Sequence, residues 1–141
     1  MSLGSMCRKD VVTVKPGTLV KEVTKLMEEK NIGSVIITAD EGKFGIITDR
    51  DIALGILNKD LNPQQTTVDE LMTDNFVLVL KEDMGLFEAL EQVKRSAVRR
   101  FPVIGIDGNL KGIITLDDII TLLSKEMADV ASIIENEGPL L

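Results

Sequence analysis

A short motif that occurs twice combines threonine and aspartate at a spacing that could bind a phosphorylated ribose. Gly45-Ile46-Ile47-Thr48-Asp49-Arg50-Asp51 recurs as Gly112-Ile113-Ile114-Thr115-Leu116-Asp117-Asp118. Each apolar run predicts a strand that delivers the threonine to a helix start, and the aspartate follows within the first turn. Unpaired N–H groups at a helix start suit an anion such as phosphate. A carboxylate there can accept hydrogen bonds from both ribose hydroxyl groups.

The same spacing also has a purely structural interpretation. A threonine followed three residues later by an acidic residue can form a capping box, in which the two side chains satisfy their own helix end. Thr67 and Glu70 have this spacing at the start of another predicted helix, where no ligand role is expected. At the level of the sequence, both interpretations of the repeated motif stay open.

Three arginines near these motifs are candidates for binding phosphate. Arg50 falls in the first turn of a predicted helix, where a cation opposes the helix dipole unless an anion lies nearby. Arg99 and Arg100 precede an apolar run that predicts a buried strand. A guanidinium group at either place could hold phosphate through two hydrogen bonds. The alternative for each arginine is an ordinary surface side chain, solvated or paired with a carboxylate.

The repeat extends beyond the motif and organises the chain. Residues 11–16 match residues 77–82, and the offset changes by one residue within a turn at 106–109. Each copy predicts a short strand (11–14 or 76–79), a helix, a buried strand, a third strand that ends at the threonine, and a final helix. The order β-α-β-β-α, present twice, predicts an α/β (α+β) fold.

The repeat boundaries give the expected organisation of the chain. The first repeat spans residues 6–57, a polar linker spans 58–66, the second repeat spans 67–124, and a C-terminal helix extension and tail span 125–141. Residues 1–5, with the sequence Met-Ser-Leu-Gly-Ser, are expected to be a cloning remnant and are left out of the predicted fold.

The last predicted helix continues an apolar face beyond the second repeat. Leu123, Met127, Val130 and Ile134 recur there at helical spacing. The helix could fold back over its own domain, or a second chain could cover the face. We expect the second arrangement, a homodimer with these four side chains near the subunit contacts.

Composition disfavours several classes of function. The 141 residues include 16 Lys and Arg against 23 Asp and Glu, and the net charge of −7 argues against nucleic acid as the main partner. The chain has no His and one Cys, so we expect neither imidazole catalysis nor a metal site. No apolar run approaches the length of a membrane span and no secretory signal is visible, so we expect a cytoplasmic protein without a membrane partner.

Together, the motifs and their order resemble a tandem pair of cystathionine beta-synthase (CBS) domains, known as a Bateman module. The resemblance also rests on Asn31-Ile32-Gly33-Ser34-Val35 and Val98-Arg99-Arg100-Phe101-Pro102-Val103, at the entry to the second strand of each repeat. It covers about residues 6–124. It implies that the two repeats pack about a pseudo-twofold axis and leave two clefts between their sheets.

The resemblance implies which residues bind a ligand in these clefts. Family members bind AMP, ADP, ATP or S-adenosylmethionine, with the motif aspartate on the ribose and the threonine on phosphate or ribose. Carried over, Thr48 and Asp51 belong to one site, and Thr115 and Asp118 to the other. The segments that would enclose the base contain Cys7, Val12, Ile32, Gly33, Thr73, Leu78, Val98 and Arg99. Some relatives combine the motif of one repeat with the base-enclosing segment of the other, and the sequence leaves that pairing open.

The two copies of the motif differ where phosphate would bind. The first copy carries Arg50 at the position where the second carries Asp117. A carboxylate beside the phosphate position should repel it. We therefore expect the Arg50 end to be the better phosphate site, and we count Arg50 among the ligand-binding residues.

The resemblance implies a regulatory function. We expect a non-catalytic sensor that binds an adenosyl ligand, requires no cofactor, and signals to an unidentified partner protein in trans. Because no nucleophile is paired with a base, an enzyme acting on a nucleotide is disfavoured. A structural or dimerisation module without a ligand is the other alternative.

Overall fold

The structure is a computed structural model that describes residues 2–72 and 77–137. The first half of the chain contains a short helix, three strands, and two longer helices: α1 (Leu3–Met6), β1 (Thr13–Val14), α2 (Val20–Lys30), β2 (Ser34–Thr38), β3 (Phe44–Thr48) and α3 (Asp49–Asn58). The second half repeats this order: α4 (Val68–Leu71), β4 (Leu80–Lys81), α5 (Leu86–Val93), β5 (Arg100–Ile104), β6 (Leu110–Thr115) and α6 (Leu116–Glu137).

The strands form two three-stranded sheets of identical topology. β2 is the central strand of the first sheet, parallel to β1 and antiparallel to β3. β5 has the same role between β4 and β6 in the second sheet. Three successive residues of each central strand are buried, as a continuous apolar run predicts. The predicted α+β fold with two β-α-β-β-α repeats is confirmed.

The first strand of the second repeat lies later in the chain than predicted. β4 consists of Leu80 and Lys81, which pair with Val103 and Ile104. The strand was predicted at 76–79, of which residue 76 lies outside the described residues. The backbone N–H of Val77 instead donates to the carbonyl of Phe44 in the first repeat, at 2.9 Å. This stretch therefore links the two repeats before it joins its own sheet.

Each half of the chain sends its first short helix into the core of the other half. Val68 and Leu71 of α4 are buried with the side chains of α2, β2 and β3. Leu3 of α1 and Cys7 are buried with Phe101, Val103 and Ile114 of the second repeat. Backbone hydrogen bonds fix both exchanges, from Leu3 to Met84 (2.9 Å) and from Val68 to Thr18 (2.9 Å).

The structure contradicts the exclusion of residues 1–5 from the predicted fold. Leu3 has no exposed surface, and its burial places residues 2–5 against β4 and β6. The helix α1 is the counterpart of α4, because moving α4 back by 65 residues places it on α1. The repeat therefore includes this segment, and the hydrophobic effect holds it in the second core.

The last helix does not fold back over its own domain. α6 spans 22 residues. Its side chains at Met127, Val130, Ile133 and Ile134 are 72%, 56%, 62% and 60% exposed. The folded-back arrangement is thus wrong, and the apolar face is open in the single chain. No helix within residues 2–72 and 77–137 combines the length and apolar character that crossing a membrane requires.

We predict that Leu3→Ala lowers the free energy of unfolding by about 2–4 kcal/mol, because it removes a fully buried side chain from the second core. Urea denaturation of the whole chain measures this change. Ser5→Ala, on the exposed side of the same helix, is the matched control and should change the free energy by less than about 0.5 kcal/mol. Equal stability of the Leu3→Ala variant and the parent would contradict the packing of α1.

Candidate ligand-binding site

Both copies of the threonine–aspartate motif form capping boxes. In the first, Thr48 Oγ1 accepts the Asp51 N–H at 3.1 Å, and Asp51 Oδ2 accepts the Thr48 N–H at 2.9 Å. In the second, the corresponding distances between Thr115 and Asp118 are 3.0 and 3.2 Å. The structural interpretation is therefore confirmed, and each box uses one carboxylate oxygen. Recognition of a ribose would depend on the other oxygen, Oδ1.

The remaining oxygens of the two aspartates have different surroundings. Asp118 Oδ1 accepts a hydrogen bond from Arg8 Nη2 at 2.8 Å, and the two side chains form an ion pair through this contact. Among the described residues, no donor lies within hydrogen-bonding distance of Asp51 Oδ1. One motif therefore carries a counter-ion from the N-terminal segment, and the other presents an open acceptor.

The environment of Asp118 favours its charged form. Burial of the carboxyl group alone raises its pKa. Hydrogen bonds from Thr115 and Arg8, together with the positive charge of Arg8, outweigh burial and hold the pKa of Asp118 below its ordinary value. The Arg8 side chain is 68% exposed and that of Asp118 is 21% exposed, so this ion pair is only partly shielded from water.

A cavity of about 320 Å³ lies between the two repeats, next to this ion pair. The first repeat contributes the segment before β1 and the turn between α2 and β2, and the second contributes β5, β6 and the start of α6. The lining residues are Arg8, Asp10, Val11, Val12, Asn31, Ile32, Gly33, Ser34, Ile36, Arg100, Ile113, Thr115 and Asp117. The cavity thus combines the motif of the second repeat with segments of the first that were predicted to enclose a base.

Local backbone geometry explains how the first repeat reaches the cavity. α2 ends at Lys30, and the next residue, Asn31, has a left-handed conformation (φ 52°) that turns the chain sharply into β2. Ile32 and Gly33 lie in this turn and line the cavity. The Asp49 N–H donates to the Gly33 carbonyl at 3.0 Å, which holds the turn against the start of α3.

Four of the predicted site residues, Val12, Ile32, Gly33 and Thr115, line this one cavity. Asp118 is adjacent to it through its ion pair with Arg8. The other predicted residues do not line it. Thr48, Arg50 and Asp51 lie at the start of α3, Leu78 and Val98 belong to the second repeat, and Thr73 lies outside the described residues. A second site built from these residues stays a prediction.

The structure places Cys7 in the second core rather than in the cavity lining. Its side chain is 7% exposed and packs against Gly112, where a Cβ would lie 2.7 Å from the Cys7 Sγ. Burial raises the pKa of the Cys7 thiol despite the nearby charge of Lys9. Cys7 therefore fills space beside a glycine instead of enclosing a base.

Charged side chains of both signs surround the cavity. Arg8 and Arg100 line it together with Asp10 and Asp117, so these four formal charges cancel. Asp117 is paired with Arg99 at 2.9 Å, which offsets the repulsion of phosphate expected from that carboxylate. On a chain of net charge −7, this balance makes the cavity a comparatively favourable place for an anion.

Sequence reasoning missed Arg8 and Asp10. Arg8 directly follows Cys7, which was predicted to enclose the base, but its partner Asp118 is 110 residues away in the chain. The signal that could have identified it is the repeat itself. Extending the offset into residues 1–6 predicts α1, and α1 brings Arg8 to the second sheet.

A comparison with protein families assigns the chain to one of them. The CBS domain model matches residues 3–58 and again residues 68–125. The two matches cover most of the 141 residues. The chain therefore belongs to the CBS domain family and carries two copies of the domain.

Several proteins have similar sequences. An uncharacterized protein of Methanopyrus kandleri is 33% identical over 121 residues, which cover 85% of this chain and 61% of the relative. The CBS domain-containing protein YhcV of Bacillus subtilis is 32% identical over 122 residues, which cover 86% of this chain and 85% of the relative. The chain thus spans about three fifths of the Methanopyrus protein.

Solved structures include a similar domain pair with bound ligands. The CBS domain pair of the protein MJ0100, in complex with 5′-methylthioadenosine and S-adenosyl-L-methionine, aligns with a TM-score of 0.72 and 26% identity. The alignment covers 89% of this chain and 98% of that chain.

We predict that Asp118→Asn destabilises the protein by about 1 kcal/mol at neutral pH, because the amide can keep the cap but loses the ion pair with Arg8. A lowered folded-state pKa stabilises the fold above the unfolded pKa of about 3.9, and the stabilisation is lost as the pH falls through the folded value. The difference between parent and variant should therefore be full at neutral pH and be lost as the pH falls below the unfolded pKa and through the lower folded pKa of Asp118.

Urea denaturation at a series of pH values measures this difference. Asp129→Asn, on the exposed part of α6, is the matched control and should leave the stability nearly unchanged. A difference between parent and Asp118→Asn that does not depend on pH would contradict the assigned ion pair.

Proposed function

We propose that this chain is a non-catalytic regulatory module that binds an adenosyl ligand in the cavity between its repeats and signals to a partner protein in trans. The observation that carries the proposal is the composition of the cavity. Thr115 of one repeat faces the same space as Val12, Ile32 and Gly33 of the other. A ligand there touches both repeats, so its binding can change how they pack.

The chemistry of the cavity supports an adenosyl ligand. Its volume of about 320 Å³ lies at the lower end of the range of small-molecule sites. Val12, Ile32 and Ile113 offer apolar surface for a base. Asp118 lies beside the Thr115 end of the cavity, where its carboxylate can accept ribose hydroxyl groups. The ligands named for the similar domain pair, 5′-methylthioadenosine and S-adenosyl-L-methionine, share the same adenosyl group.

The polar groups of the cavity support binding without catalysis. Thr115 Oγ1 accepts the backbone N–H of Asp118. Among the described residues that line the cavity, no hydroxyl group is hydrogen-bonded to a carboxylate, so no nucleophile is activated by a base. An enzyme acting on a nucleotide would generate product, and incubation with AMP or ATP followed by chromatography distinguishes the two functions.

We predict that Asp118→Ala weakens binding of AMP in this cavity by about 1–3 kcal/mol, about 5- to 150-fold, through loss of a charge-assisted hydrogen bond to ribose. Asp51→Ala should weaken AMP binding by a similar factor only at the second predicted site, because Asp51 does not line this cavity. Titration calorimetry measures both affinities. Glu70→Ala is the matched control, because it removes a capping box at α4 that does not line the cavity. Parent-like affinity in both aspartate variants would restrict these residues to capping. An absence of adenosyl binding by the parent would favour a structural module.

We also propose a homodimer formed through α6. Ile120, Leu123, Met127, Val130 and Ile134 recur at alternating intervals of three and four residues, which is the period of a coiled-coil seam. All five are among the exposed large hydrophobic side chains. A second copy of the same helix covers such a seam with one self-complementary patch.

We predict that the parent sediments at twice the chain mass of 15.4 kDa, and that Met127→Asp or Val130→Asp shifts it to the monomer, because a charge in the seam would be desolvated. Ser132→Asp, which lies on the same helix outside the seam, is the matched control and should leave the dimer intact. A parent that is monomeric at tens of micromolar would contradict the proposal. Dimers that persist in both variants would place the contact elsewhere.

A further inference from the structure

Arg8 occupies a position that joins the N-terminal segment, the motif aspartate and the cavity. Its backbone makes two hydrogen bonds with Ile113 of β6, each 2.9 Å long. Its side chain lines the cavity and reaches Asp118 Oδ1 at 2.8 Å. The backbone of Arg8 is therefore fixed, while its guanidinium group, on a side chain that is 68% exposed, has room to move.

We propose that Arg8 is an exchangeable counter-ion that makes this cavity selective for adenosyl ligands with an anionic group, such as nucleotides. The proposal rests on the function proposed above and names its ligand class. A carboxylate oxygen accepts two hydrogen bonds, so the two hydroxyl groups of a ribose bound at Asp118 Oδ1 compete with Arg8 for that oxygen. Arg8 leaves that oxygen when the ribose arrives, and a phosphate on the ligand gives the guanidinium a new partner.

The exchange makes the charge of the ligand decisive. The ribose of a nucleotide separates Arg8 from the Asp118 carboxylate, and the phosphate of the same nucleotide replaces that carboxylate as the partner of Arg8. Guanidinium and phosphate can form two parallel hydrogen bonds. An uncharged nucleoside supplies none, and it leaves Arg8 without a partner beside the cavity. A ligand with a positive charge in place of phosphate adds repulsion.

The other charged side chains around the cavity are not bound to the motif aspartate. Arg99 is held by Asp117 at 2.9 Å. Arg100 and Asp10 also line the cavity, and neither has an ion-pair partner among the described residues. Their charges cancel at long range. Of the lining side chains, Arg8 is the one whose present partner is the carboxylate that the ribose would use.

The same selectivity is not expected at the other motif. Among the described residues, Asp51 Oδ1 has no donor that a ribose would have to displace. The sequence of residues 73–76, which precedes the first strand of the second repeat, contains no arginine. Exchange of a counter-ion is thus specific to the Asp118 site.

Titration calorimetry with AMP and adenosine on the full chain tests the proposal through opposite effects. Arg8→Ala should weaken AMP binding about tenfold, because phosphate loses its cation. The same variant should strengthen adenosine binding about threefold, because Asp118 Oδ1 no longer has a competing donor. Lys9→Ala is the matched control. It removes the same charge from the neighbouring residue, which does not line this cavity, and should change neither affinity by more than about twofold.

Each outcome of this experiment supports or overturns a specific statement. Parallel losses for AMP and adenosine, or no change in either, would overturn the exchange and leave ligand binding itself intact. A parent that binds neither compound would instead overturn the proposed function. Arg8→Met keeps an unbranched side chain without a charge or an N–H donor and should give the same opposite effects, so it replaces Arg8→Ala if that variant does not fold. Equal effects from Lys9→Ala would attribute the change to net charge and overturn a specific role for Arg8.

Discussion

The close contact between the N-terminal segment and Gly112 determines how the two repeats meet. A Cβ at this position would overlap the carbonyl oxygen of Arg8 and the sulfur of Cys7. Glycine therefore allows the segment to run against β6 and to bond with Ile113 through its backbone. The contact places Leu3 in the second core and Arg8 at Asp118. Gly45 has the corresponding position in the first repeat, against the sulfur of Met72.

This exchange of segments makes the cavity a property of the pair rather than of either repeat. One wall comes from the first repeat, and Thr115 begins the helix on the other side. That helix is α6, which continues for 22 residues and carries the exposed apolar seam. At 1.5 Å per residue, Asp118 and Ile134 are roughly 24 Å apart along one helix. A continuous rigid element thus connects the proposed ligand site with the proposed interface.

The sequence predicted the local elements better than the contacts between repeats. The repeated motif predicted β3, β6 and the helices that follow, because strand and cap chemistry depends on neighbouring residues. It could not decide between capping and ribose binding, since both use the same spacing. The pairing of Arg8 with Asp118 joins residues 110 positions apart and needs the exchanged segment. Because residues 1–5 were left out of the predicted fold, the sequence did not predict α1, the helix that brings Arg8 to Asp118.

The central claim is that an adenosyl ligand binds in the cavity shared by the two repeats. The most direct test is a titration of the ¹⁵N-labelled full chain with AMP, followed through backbone amide shifts in nuclear magnetic resonance spectra. The account predicts saturable shifts at Val12, Gly33 and Thr115, from both walls of the cavity. An absence of saturable shifts, or shifts confined to the Thr48–Asp51 end, would contradict it.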